Sequence, residues 1–239
     1  MSQEASTIHG GLDRRFYTWA ALGAIAVVFA GFAKTYFLKT SFGTPALSTL
    51  VHAHGFAMTL WFAFFLMQVR LVAMHRTDLH RRAGVVGAFI AMVVLVLGIT
   101  TAITAAKLSR TPGPPPLIFL VVPLGDILVF TLLVSTGLYF RHRSDIHKRL
   151  MLLSCVGMLT APIARIPIDF IQAGGLPVFF GLTDLFVLAC VAYDTFKHRG
   201  LHPAFGWGAL LIVLSQPLRL LLSGTPAWQQ FSTWLVSMI

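Results

Sequence analysis

The sequence predicts an all-α, polytopic membrane protein with seven transmembrane helices and a short C-terminal interfacial helix. Three observations carry this. Of 239 residues, 56% are hydrophobic and only 11% are charged, where a soluble domain carries about 25% charged residues. The mean hydropathy is +0.80. Seven apolar stretches, at 16–37, 47–74, 83–106, 117–140, 150–170, 176–196 and 204–223, approach or exceed the ~20 residues that cross a bilayer's hydrocarbon core. The same arithmetic excludes a soluble globular enzyme, a disordered chain and a coiled coil.

Residues 1–15 are polar and read as a cytoplasmic N-terminal segment. The run at 16–37 is too long for the ~7–15-residue apolar stretch of a cleaved signal, so it reads as an uncleaved anchor. A basic turn separates 47–74 from 83–106. The connector at 108–116 holds Thr-Pro-Gly-Pro-Pro-Pro and reads as rigid and non-helical. The span at 117–140 leads through a second basic turn into 150–170, which carries Pro162 and Pro167. The spans at 176–196 and 204–223 complete the transmembrane domain. In 224–239, Thr225 suits a helix cap and Pro226 a first turn. Trp228, Phe231, Leu235 and Met238 then share one stripe, so this segment reads as an amphipathic helix in the outer interface, with Trp228 and Trp234 as anchors.

The net charge of +10 is mostly a topology signal. With the N-terminus inside, the inner segments hold Arg14, Arg15, Arg76, Arg81, Arg82, Arg141, Arg143, Lys148, Arg149, Lys197 and Arg199, against Lys39, Lys107 and Arg110 outside. That bias places the N-terminus in the cytoplasm and the C-terminus outside a bacterial inner membrane. Nucleic acid therefore drops out as a partner, and the lipid bilayer takes its place. A membrane-complex partner or a second copy of the chain stays open. Cys155 and Cys190 lie in apolar runs and read as small buried hydrophobes.

A short element repeats at the inner face. Arg76-Thr77-Asp78-Leu79-His80-Arg81-Arg82 precedes the third span, and Arg143-Ser144-Asp145-Ile146-His147-Lys148-Arg149 precedes the fifth. Leu201-His202-Pro203-Ala204-Phe205-Gly206 is a weaker echo, so three related hairpins are expected. One reading is helix starting, with Thr77 or Ser144 and the following Asp capping free N–H groups. The other is a b-type haem or a transition metal. His80 and His147 would be axial imidazoles, and Arg81, Arg82, Lys148 and Arg149 would lie beside the propionates.

The outer half carries a second constellation. His52, His54, Asp126, Arg165, Asp184 and Arg219, with Gln216, fall roughly 6–14 Å below the outer face at a ~1.5 Å rise per residue. Two Asp balance two Arg, and unpaired charges in a membrane cost ~2.5–3.5 kcal/mol each, so pairing is expected. His54, Met58, Trp61, Phe65 and Gln68 form one helical stripe. His52 lies ~200° around a regular helix from His54. Only an irregular first turn would let both bind a metal, with Asp126 or Asp184 as third ligand. The alternatives are a ligand or proton site and an ion-pair lock.

The last span has no lysine for a retinal Schiff base, and no phosphate loop, Gly-x-Ser-x-Gly or His-Glu-x-x-His occurs. The quoted elements, together with Val51-His52-Ala53-His54-Gly55, Thr183-Asp184-Leu185 and Ser215-Gln216-Pro217-Leu218-Arg219, resemble a bacterial family of seven-helix integral membrane proteins. The likeness runs from Phe16 onward and implies the same architecture. More distantly, His-Arg/Lys-Arg before a helix is similar to membrane proteins of haem and cytochrome oxidase biogenesis. Three functions stay open: a haem- or metal-associated redox or assembly protein, a transporter or receptor for a small anion, and a structural subunit without ligand.

Overall fold

A computed structural model describes residues 2–109 and 115–239, with residues 2–12 described by their backbone alone. Most of the proline-rich connector, including Arg110, lies outside the described residues, which contain no strand. Helix α1 (Ser2–Phe32) ends in a π-helical turn (Ala33–Phe37). It is followed by α2 (Thr49–Ala73), α3 (Thr77–Lys107), the single turn α4 (Pro116–Phe119) and α5 (Val121–Tyr139). Then come α6 (Ser144–Val156), the single turn α7 (Thr160–Ile163), α8 (Asp169–His198), α9 (Pro203–Ser223) and α10 (Pro226–Ser237).

Six helical segments are long and apolar enough to cross a membrane: Asp13–Phe37, Thr49–Ala73, Thr77–Lys107, Pro116–Tyr139, Asp169–His198 and Pro203–Ser223. The chain is an integral membrane protein. Large apolar side chains such as Trp19, Phe89, Phe196 and Leu221 point outward, as hydrocarbon permits and water does not.

The expected fifth span, 150–170, is not one continuous helix. Helix α6 stops at Gly157, α7 makes one turn around Pro162, and extended chain at Ile168 leads into α8. Prolines at 162 and 167 each remove a backbone donor, so the ladder cannot run through. Gln172 closes part of the gap, its Nε2 donating to the carbonyls of Ala164 (3.0 Å) and Ile166 (2.8 Å). Helix α8 bends where Gly175 sits at φ 58°, ψ −151°, a conformation that only glycine adopts readily.

The interrupted segment is the centre of the molecule. Leu150, Leu152, Leu153, Ser154, Cys155 and Val156 are all buried, so α6 hides more than one face. It packs against α1, α5, α8 and α9. Trp61 and Phe130 meet edge to face beside it, with ring centres 5.1 Å apart. The Trp61 indole N–H is enclosed there without a hydrogen-bond partner among the described residues. At the α1–α7 crossing, a side chain on Gly31 would collide with the backbone of Pro162, the small-residue contact by which membrane helices approach closely.

The chain makes three tight turns at one end, 74–76, 140–143 and 199–202, which carry Arg76, Arg141, Arg143 and Arg199. This is the basic end. The π-turn, the α7 interruption and the Gly175 bend gather at the opposite, far end. There α10 folds back: Thr225 Oγ1 accepts from the Trp228 backbone N–H, and the Trp228 indole donates to the Leu117 carbonyl at 2.9 Å.

Candidate functional site

Two polar regions result, one at each end. At the basic end, α3 and α6 begin in the same register. The His80 N–H bonds to the Arg76 carbonyl at 3.0 Å, and the His147 N–H bonds to the Arg143 carbonyl at 2.9 Å. The expected side-chain caps are not made. Arg76 and Arg143 occupy the cap positions without a side-chain hydrogen bond, while Thr77 and Ser144 are already helical. The acidic Asp78 and Asp145 in the first turns face the helix dipoles instead.

The register brings His80 and His147 together, with ring centres 6.1 Å apart and planes at 74°. Each ring is held from behind. His147 Nδ1 donates to the Gly137 carbonyl at 2.8 Å, so its Nε2 presents a lone pair. With the buried Gln68 amide turned to satisfy both ends, its Nε2 donates to His80 Nδ1 at 2.7 Å and its Oε1 accepts from Gly84 N–H at 3.2 Å. Gln68 stood apart in the sequence as the last member of the α2 stripe, and the structure gives it a partner on α3.

The four cations expected beside this pair divide. Arg81 and Arg82 are exposed next to His80. Lys148 and Arg149 are turned into the protein. Arg149 grips Asp194 with two parallel bonds, Nε–Oδ2 2.9 Å and Nη2–Oδ1 2.8 Å. Lys148 bonds Asp13 at 3.0 Å, and Lys197 shares that carboxylate. His198 Nδ1 donates to the Asp194 carbonyl at 2.9 Å. Asp13 thus ties α1 to α6 and α8, and Asp194 ties α8 to α6. Sequence reasoning missed both acids. Their signal was a carboxylate adjoining a basic turn, four residues before His198 in the case of Asp194.

Around the last basic turn, a cleft of about 520 Å³ is lined by Asp145, Lys148, Arg149, His198 and His202 among others. His202 caps α9 by accepting from Ala204 N–H at 3.2 Å, and its Nε2 faces Asp145 Oδ2 at 3.3 Å. The Asp145 carboxyl lies below its ordinary value. Its slight burial opposes this, and the His202 hydrogen bond, local N–H donors and the Arg143 charge outweigh it.

In the far half, the expected balanced cluster resolves into separate units. Asp126 pairs with Arg219, whose Nη2 also reaches Ser215 Oγ at 2.8 Å. Gly125 makes this possible, since a side chain there would occupy the place of Arg219 Nε. Asp184 takes a hydrogen bond from Gln216 Nε2 at 2.7 Å and, among the described residues, pairs with no arginine. Thr160 and Thr183 bond each other beside it at 3.0 Å, both buried. Arg165 has no carboxylate among the described residues. Its Nη1 donates to the Ala161 carbonyl at 2.8 Å, and its guanidinium lies 4.9 Å above the Phe32 ring.

Helix α2 is regular from Thr49, so its histidines diverge. His52 is exposed, its ring centre 5.9 Å from that of Tyr36. His54 turns inward against Gly98, and its Nδ1 is enclosed without a hydrogen-bond partner. Asp126 is committed to Arg219. Among the described residues, no group of three or more His, Cys, Asp or Glu is placed to hold a metal ion. His52, His54 and Asp126 are thus not brought together as a ligand set.

No family model, no curated protein and no solved structure matches the chain.

Proposed function

We propose that the chain is a bacterial inner-membrane protein of seven crossings, and that it holds a haem iron between His80 and His147 in a redox or respiratory-assembly role. In this reading the α6–α7 segment completes the fifth crossing, the basic end is cytoplasmic, and α10 lies in the outer interface. Membership of the seven-helix family with His-x-His-Gly and His-Arg/Lys-Arg motifs is part of the same proposal.

The observation that carries it is the 6.1 Å separation of the two imidazole centres. Two ring nitrogens, each about 2 Å from one shared ion, put the ring centres roughly 6 Å apart. A direct N–H···N hydrogen bond would draw them about 1 Å closer. The absence of a third protein ligand among the described residues favours a porphyrin over a bare ion, because a porphyrin brings four nitrogens of its own while zinc needs four ligands from its site. His147 is already oriented for the task by the Gly137 carbonyl. His80 needs its proton on Nδ1, which a half-turn of the Gln68 amide would accept. Arg81 and Arg82 are free to meet propionates, whereas Lys148 and Arg149 are engaged elsewhere. Bound there, haem would supply one-electron chemistry, while the chain positions it and sets its electrostatics.

The test is the visible spectrum and iron content of the protein purified from its own membranes. A Soret band with about one iron per chain, lost in His80→Ala and His147→Ala, is the expected result. A colourless protein without bound iron ends the proposal.

A further inference from the structure

The unengaged arginine in the far half has a different chemistry. We infer that Arg165 is the receptor for one oxyanion, a carboxylate or a phosphodiester, bound at the far end of the molecule.

Arg149 and Arg219, which are buried, each hold a carboxylate of this chain. Arg165 holds none among the described residues and spends one nitrogen on the Ala161 carbonyl. That bond and the Phe32 ring beneath the guanidinium fix its plane. The remaining N–H groups form a pre-oriented fork of the kind that grips an oxyanion with two parallel bonds. The side chain is exposed, so this fork is reachable.

The backbone around it is irregular on three sides. Arg165 itself follows the interruption after α7, α1 ends in the π-turn, and α8 bends at Gly175. Breaks of this kind are costly in a membrane unless protein buries them or they line a cavity, and π-turns recur at functional sites. Gln172 holds the carbonyls on both sides of Arg165, those of Ala164 and Ile166, which keeps the loop in place without touching the guanidinium.

The apolar face of Phe32 beneath the guanidinium suits an anion with an apolar body, either a soluble organic carboxylate or a lipid headgroup on its acyl chains.

The full chain in dodecyl maltoside micelles, which carry no phosphate, is titrated with butyrate and benzoate, with thermal unfolding as readout. A parallel arm adds phosphatidylglycerol to the micelles. Stabilisation by the soluble acids identifies a carboxylate ligand, and stabilisation by phosphatidylglycerol alone identifies a lipid headgroup. In either case Arg165→Gln loses the response by roughly tenfold or more in apparent affinity. Arg165→Lys keeps only part of it, because a point charge replaces the fork. Arg141→Gln, at an exposed arginine of the basic end, responds as the wild type does. No stabilisation in either arm, or an equal response in the wild type and Arg165→Gln, overturns the inference. If Arg165→Gln does not fold, an Arg165→Lys response equal to wild type overturns it.

Discussion

Arg149 and Asp194 meet face to face beneath the basic end, joined by bonds of 2.9 and 2.8 Å, with only 4% and 3% of their side chains exposed. The pair links the central α6 to α8, and the Phe205 ring of α9 lies 5.7 Å under the guanidinium. Removing one partner leaves the other buried and uncompensated. Asp194→Ala is expected to cost about 3–5 kcal/mol, read as a lowered midpoint in detergent or thermal unfolding. The double variant Arg149→Met, Asp194→Leu should recover most of that loss, because a buried pair gains little over well-packed apolar groups. Equal loss in the single and double variants would show that the pair contributes more than its desolvation costs.

The Asp126–Arg219 pair depends on a residue that carries no side chain. Gly125 lies so close to Arg219 that any Cβ would displace the guanidinium. Gly125→Ala is therefore expected to destabilise by roughly 1–3 kcal/mol, the usual range for overpacking, although alanine favours helix elsewhere. The check is an unfolding midpoint compared with Gly181→Ala, where nothing lies near the added methyl. A Gly125→Ala protein as stable as that control would mean that Arg219 is free to move aside.

Helix α10 is held at its start by one tryptophan. The Trp228 indole donates to the Leu117 carbonyl at 2.9 Å, and its ring is buried among Leu120, Val121 and Phe180. Trp228→Phe should remove the hydrogen bond and part of the buried ring, a loss of about 1–2 kcal/mol. Trp228→Ala should cost about 3–5 kcal/mol if α10 stays in place, or release the helix. Limited proteolysis within 224–239 separates the two, with cleavage rising strongly in Trp228→Ala and slightly in Trp228→Phe.

What could be read from the sequence follows from what periodicity measures. Apolar runs and their length revealed six long helices, and the repeated Asp-x-His motif foresaw that His80 and His147 share a register. Their meeting was legible because the two motifs start neighbouring helices at the same end. The fifth segment was not legible in the same way. Its composition is apolar throughout, and hydropathy does not distinguish a continuous helix from a buried interruption. Charge balance likewise counted two Asp against two Arg but could not assign partners. The close approach at Gly125 goes with the pairing of Asp126 and Arg219, while Arg165 turns to the Ala161 carbonyl and Asp184 to Gln216. Asp13 was overlooked because a carboxylate before the first span looks solvated until three helices converge on it.

Gln68 decides which nitrogen of His80 is available, and this gives the sharpest test of the imidazole pair. The amide donates to Nδ1, so the neutral ring carries its proton on Nε2, the atom turned away from Gln68. His147 is fixed in the opposite sense by the Gly137 carbonyl. The resting pair therefore offers one donor and one acceptor, while an iron between the rings needs two acceptors. A carboxylate at position 68 can only accept, and it would hold the proton on Nδ1 and free Nε2. Gln68→Glu is thus expected to bind added haem about tenfold more tightly than the wild type, a size typical of groups that orient a metal-bound histidine. The reduction potential should fall, because the more basic imidazole favours the ferric state. Gln68→Leu should bind more weakly than Gln68→Glu, with a higher potential. Haem titration followed at the Soret band, with a parallel redox titration, reads both quantities. Identical affinities in the wild type, Gln68→Glu and Gln68→Leu would show that iron does not sit against His80, whatever the protein's colour.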